Sequence, residues 1–234
     1  MSAILSIETA TEICSVALAR DGELIACKES ANSNEHSSLL TLFIQEVMEE
    51  AGISLKALDA VAVSKGPGSY TGLRIGVSAA KGLCYSLDKP LIAVSTLKAL
   101  AYQTLSLFPD LKNPQTLLCP MIDARRMEVF TALYNQHLEE VSRVDALILD
   151  QHSFDDFNSY IIAICGNGAG KCTELFSGSG NIIFPGNVRN SANAISSLAT
   201  SMFHNKEFVD TAYFEPYYLK DFIAGKPKVK GLHG

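Results

Sequence analysis

Three β-prone runs, residues 3–7, 13–20 and 23–28, come first in the chain, and Asp21-Gly22 between the last two is a pair that a tight hairpin turn selects. A helix is expected from just after Asn34, because Leu39, Leu40, Phe43, Ile44, Val47, Met48 and Ala51 recur at helical spacing and Gly52 closes the run. A buried strand at 60–64, a glycine-rich loop at 66–72 and a helix to Leu87 follow. Lys89-Pro90 breaks that helix ahead of a strand at 91–94 and a helix at 96–106. Only a mixed sheet accommodates a meander followed by strand–helix crossovers. The order therefore predicts an α/β protein built on the RNase H-like unit.

After the connection 108–114 the pattern partly begins again. Strands are expected at 117–122, 127–134 and 160–165, the last running into Gly166-Asn167-Gly168, and a helix at 191–204. The acid-ended runs Ile7-Glu8-Thr9 and Ile122-Asp123-Ala124 take corresponding places, which predicts a diverged internal duplication. The expected organisation is a first lobe over 1–107, a second over 108–212, and a segment 213–234 returning to the first.

Charge and cysteine usage narrow the function classes. Across 234 residues, 19 Lys+Arg against 25 Asp+Glu leave a formal charge of −6. That balance argues against a chain that grips nucleic acid unaided, since such affinity comes largely from cations on phosphates. The basic run Lys226-Pro227-Lys228-Val229-Lys230 reads as a solvated terminus. No apolar run nears the ~20 residues that span a bilayer, and no basic segment precedes the first apolar run. A cytoplasmic protein without a membrane partner is expected. The six cysteines are scattered without a CxxC pair, and the five histidines lack metal-ligand spacing, so reduced buried thiols and mostly surface imidazoles are expected.

Two loops and two acids are the candidates for small-molecule chemistry. Gly66, Gly68, Ser69 and Thr71 precede a helix, where free N–H groups attract anions, yet the spacing fits neither the dinucleotide nor the Walker pattern. The loop is either a phosphate or nucleotide loop or a structural turn. Gly166 and Gly168 lead to Lys171, but Cys165 and Cys172 stand where a Walker motif has Gly and Ser or Thr. This second loop is a turn, or the floor of an adenosine-sized cleft. Glu8, beside Thr9, and Asp123 are strand-end carboxylates of the kind that hold Mg²⁺ through water. Arg125 and Arg126 follow Asp123 closely, and either engage phosphate or pair with a neighbouring acid. No nucleophile–base set and no protein metal site is visible.

The helices at 35–51 and 72–87 speak of a protein partner. The apolar arc of the first is wider than a core-facing stripe needs, and Leu42 widens it further. The second buries Leu73, Val77, Leu83, Cys84 and Leu87 and turns Ile75, Ser78, Ala79, Gly82 and Ser86 the other way. Its only charges are Arg74 and Lys81. The expected subunit interface is Leu39, Leu42, Phe43, Val47, Ile75, Ser78, Ala79, Gly82 and Ser86, unless the second lobe or the terminal segment covers that face.

Ile7-Glu8-Thr9-Ala10-Thr11, Cys14-Ser15-Val16-Ala17-Leu18, the run from Gly66-Pro67-Gly68-Ser69 to Gly76, Val94-Ser95-Thr96-Leu97, Ile122-Asp123-Ala124-Arg125 and Glu215-Pro216-Tyr217-Tyr218-Leu219 together resemble the bacterial TsaB (YeaZ) proteins. The resemblance covers nearly the whole chain and is thinnest over 136–209. It implies the actin/Hsp70-like ATPase fold, with two lobes on mixed five-stranded sheets. It also implies a part in making threonylcarbamoyladenosine in tRNA, as a non-catalytic partner of the related catalytic subunit TsaD in an assembly with the ATPase TsaE and with tRNA. Pairing with a second copy of the chain, and an adenine nucleotide with Mg²⁺ near the cleft or subunit junction, are further implications. The catalytic relative holds its metal with two histidines on the helix after the fifth strand, where this chain reads Val94-Ser95-Thr96-Leu97-Lys98-Ala99. The family mostly has Asp in place of Glu8. The alternative is a nucleotide-dependent kinase or phosphohydrolase of the same fold, working through Glu8, Asp123 and both loops.

Overall fold

The computed structural model of the chain describes residues 2–31 and 35–220. Asn34, the basic run from Lys226 to Lys230, His233 and the rest of the expected returning segment beyond residue 220 lie outside the described residues. The first half holds β1 (Ala3–Glu8), β2 (Cys14–Arg20), β3 (Glu23–Ser30), α1 (His36–Glu50), β4 (Ala60–Ser64), α2 (Tyr70–Leu87), β5 (Leu91–Val94) and α3 (Thr96–Leu107). The second holds β6 (Thr116–Asp123), β7 (Glu128–Thr131), β8 (Asp145–Ile148), β9 (Ile161–Cys165), β10 (Ile182–Ile183) and α4 (Ala192–His204).

The sheets run β3-β2-β1-β4-β5 and β8-β7-β6-β9-β10, which is one strand order used twice. In each, the hairpin pairs are antiparallel, and β4 on β1 or β9 on β6 is parallel. Glu8 and Asp123 end equivalent central strands. The duplication thus survives in topology where the letters have diverged. β8 and β10 are edge strands too short and too exposed to carry a sequence signal. The expected strand at 127–134 shortens to β7, with Tyr134 joined to Leu118 only through an isolated bridge.

The five layers follow from the alternation of side chains across each strand. Leu5, Ile7, Val61 and Val63 meet Leu40, Val47 and Val77 from α1 and α2, while Ile4, Ala60, Ala62, Ile92 and Val94 meet Ala194, Ile195 and Ala199 of α4. Both faces of β1 are covered, which is why it reads as an almost unbroken apolar run. Each Leu or Val so enclosed contributes roughly 1.5–3 kcal/mol. Leu97, Leu100 and Ala101 of α3 cover one face of the second sheet, against Leu118, Ile122 and Cys165. Leu149, Phe154, Cys172 and Phe176, from turns and the short helical segments around them, cover the other. Among the described residues the second sheet has no counterpart of α1 or α2.

One expectation is corrected here. The return to the first lobe begins at α4 rather than at Tyr213, because α4 lies on β1, β2, β4 and β5 and against α3. Its Ser196 hydroxyl donates to that of Ser6, 2.8 Å away in the middle of the first sheet. Small residues at Ala192, Ala194 and Ala199 let the helix settle close to the strands.

The ends of the first two helices match their sequence signals. Gly52, at φ +66°, terminates α1 with Ile53 N–H donating to the Met48 carbonyl and Gly52 N–H to that of Glu49. The Ser69 hydroxyl caps α2 by accepting the Gly72 N–H at 3.3 Å.

Candidate docking face and interlobe cleft

The outer surface of the first lobe is the seam between α1 and α2. Leu39, Phe43, Ile75, Ala79 and Leu83 are half-buried along it, packed on the core from outside. Leu42, Ser78, Gly82 and Ser86 are exposed. Val47 is not part of this surface: it is 0% exposed and belongs to the core against the sheet. The wide apolar arc of α1 admits that error, since a residue on its inner edge has the same composition as one on its outer edge.

Tyr85, absent from the sequence expectation, is 88% exposed and stands one turn beyond Gly82 on the same side of α2. Its position seven residues after Ser78 was the available signal, masked by its being a single aromatic among small residues. Beside it lies a recess of about 710 Å³ between the end of α2 and the segment at 210–212, lined in part by Gly82, Asp88 and Lys89. Lys81, one of the two charges within α2, is drawn away by donating to the Ala212 and Phe214 carbonyls at 3.1 and 3.0 Å. The rest of the outer face of α2 is apolar or small, with one large aromatic and Arg74 at its far end.

The glycine-rich loops at the boundary of the lobes pack closely on neighbouring backbone. Gly66 takes φ +109°, and a Cβ there would stand 2.6 Å from the Tyr217 carbonyl oxygen. At Gly68 it would stand 2.4 Å from the Ala10 carbonyl oxygen, and at Gly72 2.0 Å from that of Thr9. Gly68 and Gly72 bring the loop into backbone contact with the β1–β2 turn, and Gly66 brings it against the backbone at Tyr217. Three of its N–H groups are engaged: Gly66 with the Thr96 hydroxyl, Ser69 with the Ala10 carbonyl and Gly72 with the Ser69 hydroxyl. Buried Thr9 donates its hydroxyl to the Gly72 carbonyl at 2.8 Å, and Thr71 is exposed on the first turn of α2. Gly166 and Gly168 repeat the device against Met121 and Ile122 at the end of β6.

The two acids do not converge on one ion. Glu8 is wholly buried. Its Oε1 accepts the Ala10 N–H at 2.6 Å and the Ser64 hydroxyl at 2.9 Å, while Oε2 has no hydrogen-bond partner. Asp123 is exposed and carries the Lys171 ammonium at 2.5 Å, which also donates to the Glu128 carbonyl. The cation on Asp123 is a lysine of the same chain. With Glu8 wholly buried and Asp123 paired with Lys171, these two carboxylates are not a ready-made pair of ligands for one Mg²⁺.

Burial pushes the Glu8 carboxyl up to about 7, against the smaller opposing pull of the Ala10 and Ser64 hydrogen bonds. The folded chain therefore keeps the proton over a range, from about pH 4.5 to about 7, in which the unfolded chain has released it. Stability falls as pH rises through that window and levels off above it, by about 3 kcal/mol in total. Glu8→Gln keeps an acceptor for Ala10 and Ser64 without the charge. Thermal melts are expected to place it above the parent at pH 8 and level with it at pH 5; equal differences at both would rule out Glu8 as the source.

His36, the cysteines and the β5–α3 hydroxyls have structural surroundings. His36 is buried, unlike the surface histidines expected, and its Nε2 lies 3.1 and 3.2 Å from the Thr11 and Ile13 carbonyls, fastening the β1–β2 turn to α1. All six thiols are free, and burial pushes each upward, Cys14, Cys84 and Cys172 to about 11 and Cys165 to about 12. Cys27 is the only one that is half-buried. Mass spectrometry after brief iodoacetamide treatment at pH 8 should find Cys27 alkylated first, the other five only on unfolding. The junction of β5 and α3 holds Ser95, which caps the Lys98 N–H, and buried Thr96.

Comparison with known proteins gives a consistent result. Residues 29–224 match the family model described as TsaD: tRNA N6-adenosine threonylcarbamoyltransferase. Over 230 residues the chain is 33% identical to the tRNA threonylcarbamoyladenosine biosynthesis protein TsaB of Escherichia coli, covering 95% of this chain and 96% of that protein. The Bacillus subtilis protein of the same name is 37% identical over 141 residues, covering 59% and 58%. A solved structure described as YeaZ from Pseudomonas aeruginosa matches with a TM-score of 0.80 at 27% identity, covering 94% of this chain and all of that one. No helix among the described residues is long and apolar enough to cross a membrane.

Proposed function

The chain belongs to the TsaB (YeaZ) family of tRNA threonylcarbamoyladenosine biosynthesis proteins, with its actin-like fold, and from that premise we propose that it serves as the non-catalytic subunit that docks a TsaD-type transferase through the α1–α2 face. The observation that carries this reading is the face itself. Leu39, Phe43, Ile75, Ala79 and Gly82 form a small-residue and apolar seam whose nearest lysine is held by carbonyls to one side. Neither the second lobe nor the described part of the terminal segment covers it, so Leu42 and Tyr85 stay in solvent. Dry, weakly charged surface of this kind suits a permanent protein contact.

The non-catalytic role is supported by what the cleft contains. Its glycines serve backbone packing, its surface acid is paired with Lys171, and the β5–α3 junction offers hydroxyls where metal chemistry calls for imidazole. In this reading the ATPase TsaE and tRNA join through the TsaD complex, and self-association uses the same face when TsaD is absent. Size-exclusion chromatography with light scattering tests it. The chain mixed with its own organism's TsaD should elute as a one-to-one complex at micromolar concentration. Separate elution of two folded proteins would overturn the docking role.

A further inference from the structure

We propose that the tip of the β6–β7 hairpin, Arg125 and Arg126, is a contact for RNA phosphates. Two observations carry it. The sequence leaves these arginines between phosphate and a local ion pair, for which Asp123 and Glu128 are the acids on either side. Instead both acids are taken by lysines from distant parts of the chain, Asp123 by Lys171 and Glu128 by Lys220. Asp123 meets Arg125 only through the backbone, accepting its N–H at 2.6 Å. Both arginines are exposed, and among the described residues neither guanidinium has a hydrogen-bond or ion-pair partner. Two consecutive exposed cations thus stand without a protein partner at the tip of a hairpin in an otherwise acidic protein.

The backbone supplies the second observation. Arg125 and Arg126 lie at φ +71° and +52°, consecutive residues in the left-handed region that Asn and Gly occupy cheaply and longer side chains do not. A turn chosen for stability would carry those residues. Neighbouring guanidiniums held at a fixed tip suit anionic oxygens spaced along a backbone, which they grip in bidentate fashion. RNA is the occupant this charge arrangement favours, and its choice rests on the proposed role in a tRNA-modifying assembly.

The test uses the complex with TsaD and an unmodified tRNA transcript, with Arg125→Asn/Arg126→Gly as the variant because it relaxes the turn. The variant should melt no lower than the parent and form the same complex. Its tRNA affinity should drop about ten-fold near 0.1 M salt, with the slope of log K against log salt shallower by roughly 1.4–1.8, the share of two phosphate contacts. Arg125→Lys/Arg126→Lys should keep most of that slope. Unchanged affinity and slope in an intact complex would overturn the inference, and so would loss of the complex itself, which would make the hairpin a protein contact. Failure of the docking role would show separately, as no complex with the parent chain.

Discussion

Gly82→Arg is expected to abolish association with TsaD while leaving the chain folded and slightly more stable. A Cβ at Gly82 meets nothing within 4 Å, so the monomer has room for the side chain. Replacing a mid-helix glycine by arginine gains about 0.8–1 kcal/mol of helix propensity, a rise of roughly 2–4 °C in a domain of this size. At the seam the same charge must be desolvated against an apolar partner surface without a counter-ion. That costs about 3 kcal/mol or more, which weakens binding over a hundred-fold. Light scattering and a thermal melt on one sample check both halves. A variant that melts higher and still co-elutes with TsaD would move the interface away from α2. Tyr85→Ala, by contrast, should weaken the complex only if the ring is an anchor rather than part of the rim.

The opposite outcome is expected at Gly72. A Cβ there would stand 2.0 Å from the Thr9 carbonyl oxygen, a backbone atom that cannot swing away as a side-chain end could. Relief requires moving α2 off the end of β1, which also breaks the 2.8 Å bond from the Thr9 hydroxyl to the Gly72 carbonyl. Gly72→Ala should cost roughly 3 kcal/mol or more and lower the midpoint by about 6–12 °C. Gly170→Ala, whose Cβ meets open space, is the control and should melt with the parent. Equal midpoints for the two variants would mean that the loop tolerates separation from β1. The contrast matters for reading such loops: glycines that look built to receive a ligand here receive the neighbouring backbone.

Local patterns were legible and distant partners were not. The Asp21-Gly22 hairpin, the Gly52 terminus and, except for half-buried Leu83 and Leu87, the division of α2 into an inner and an outer side each depend on residues within a turn or two, and the structure has them where periodicity and turn chemistry put them. Glu8 read as a ligand because strand-end carboxylates commonly face solvent; instead it is buried beside Ser64 of β4, whose hydroxyl reaches it from 56 residues along the chain. Arg125 and Arg126 were open between phosphate and ion pair, and the deciding lysines lie 48 residues from Asp123 and 92 from Glu128. Val47 and Tyr85 mark the limit of helical-wheel reasoning, which gives a direction around the axis but not where the neighbouring element stops. The destination of α4 was hidden for a similar reason, since a helix of Ala, Ser and Ile suits either sheet.

That destination has a consequence for how the protein is made. The inner face of the first sheet, with Ile4, Ala62 and Ile92, is sealed by residues that leave the ribosome long after β5 and α3. The Ser6–Ser196 bond spans 190 positions. At ordinary elongation rates the interval between α3 and α4 is about 5–20 s, during which the α4-facing side of the first sheet is open to other nascent chains. Chaperone binding during that interval, rather than sequential lobe folding, is the vulnerability this arrangement creates.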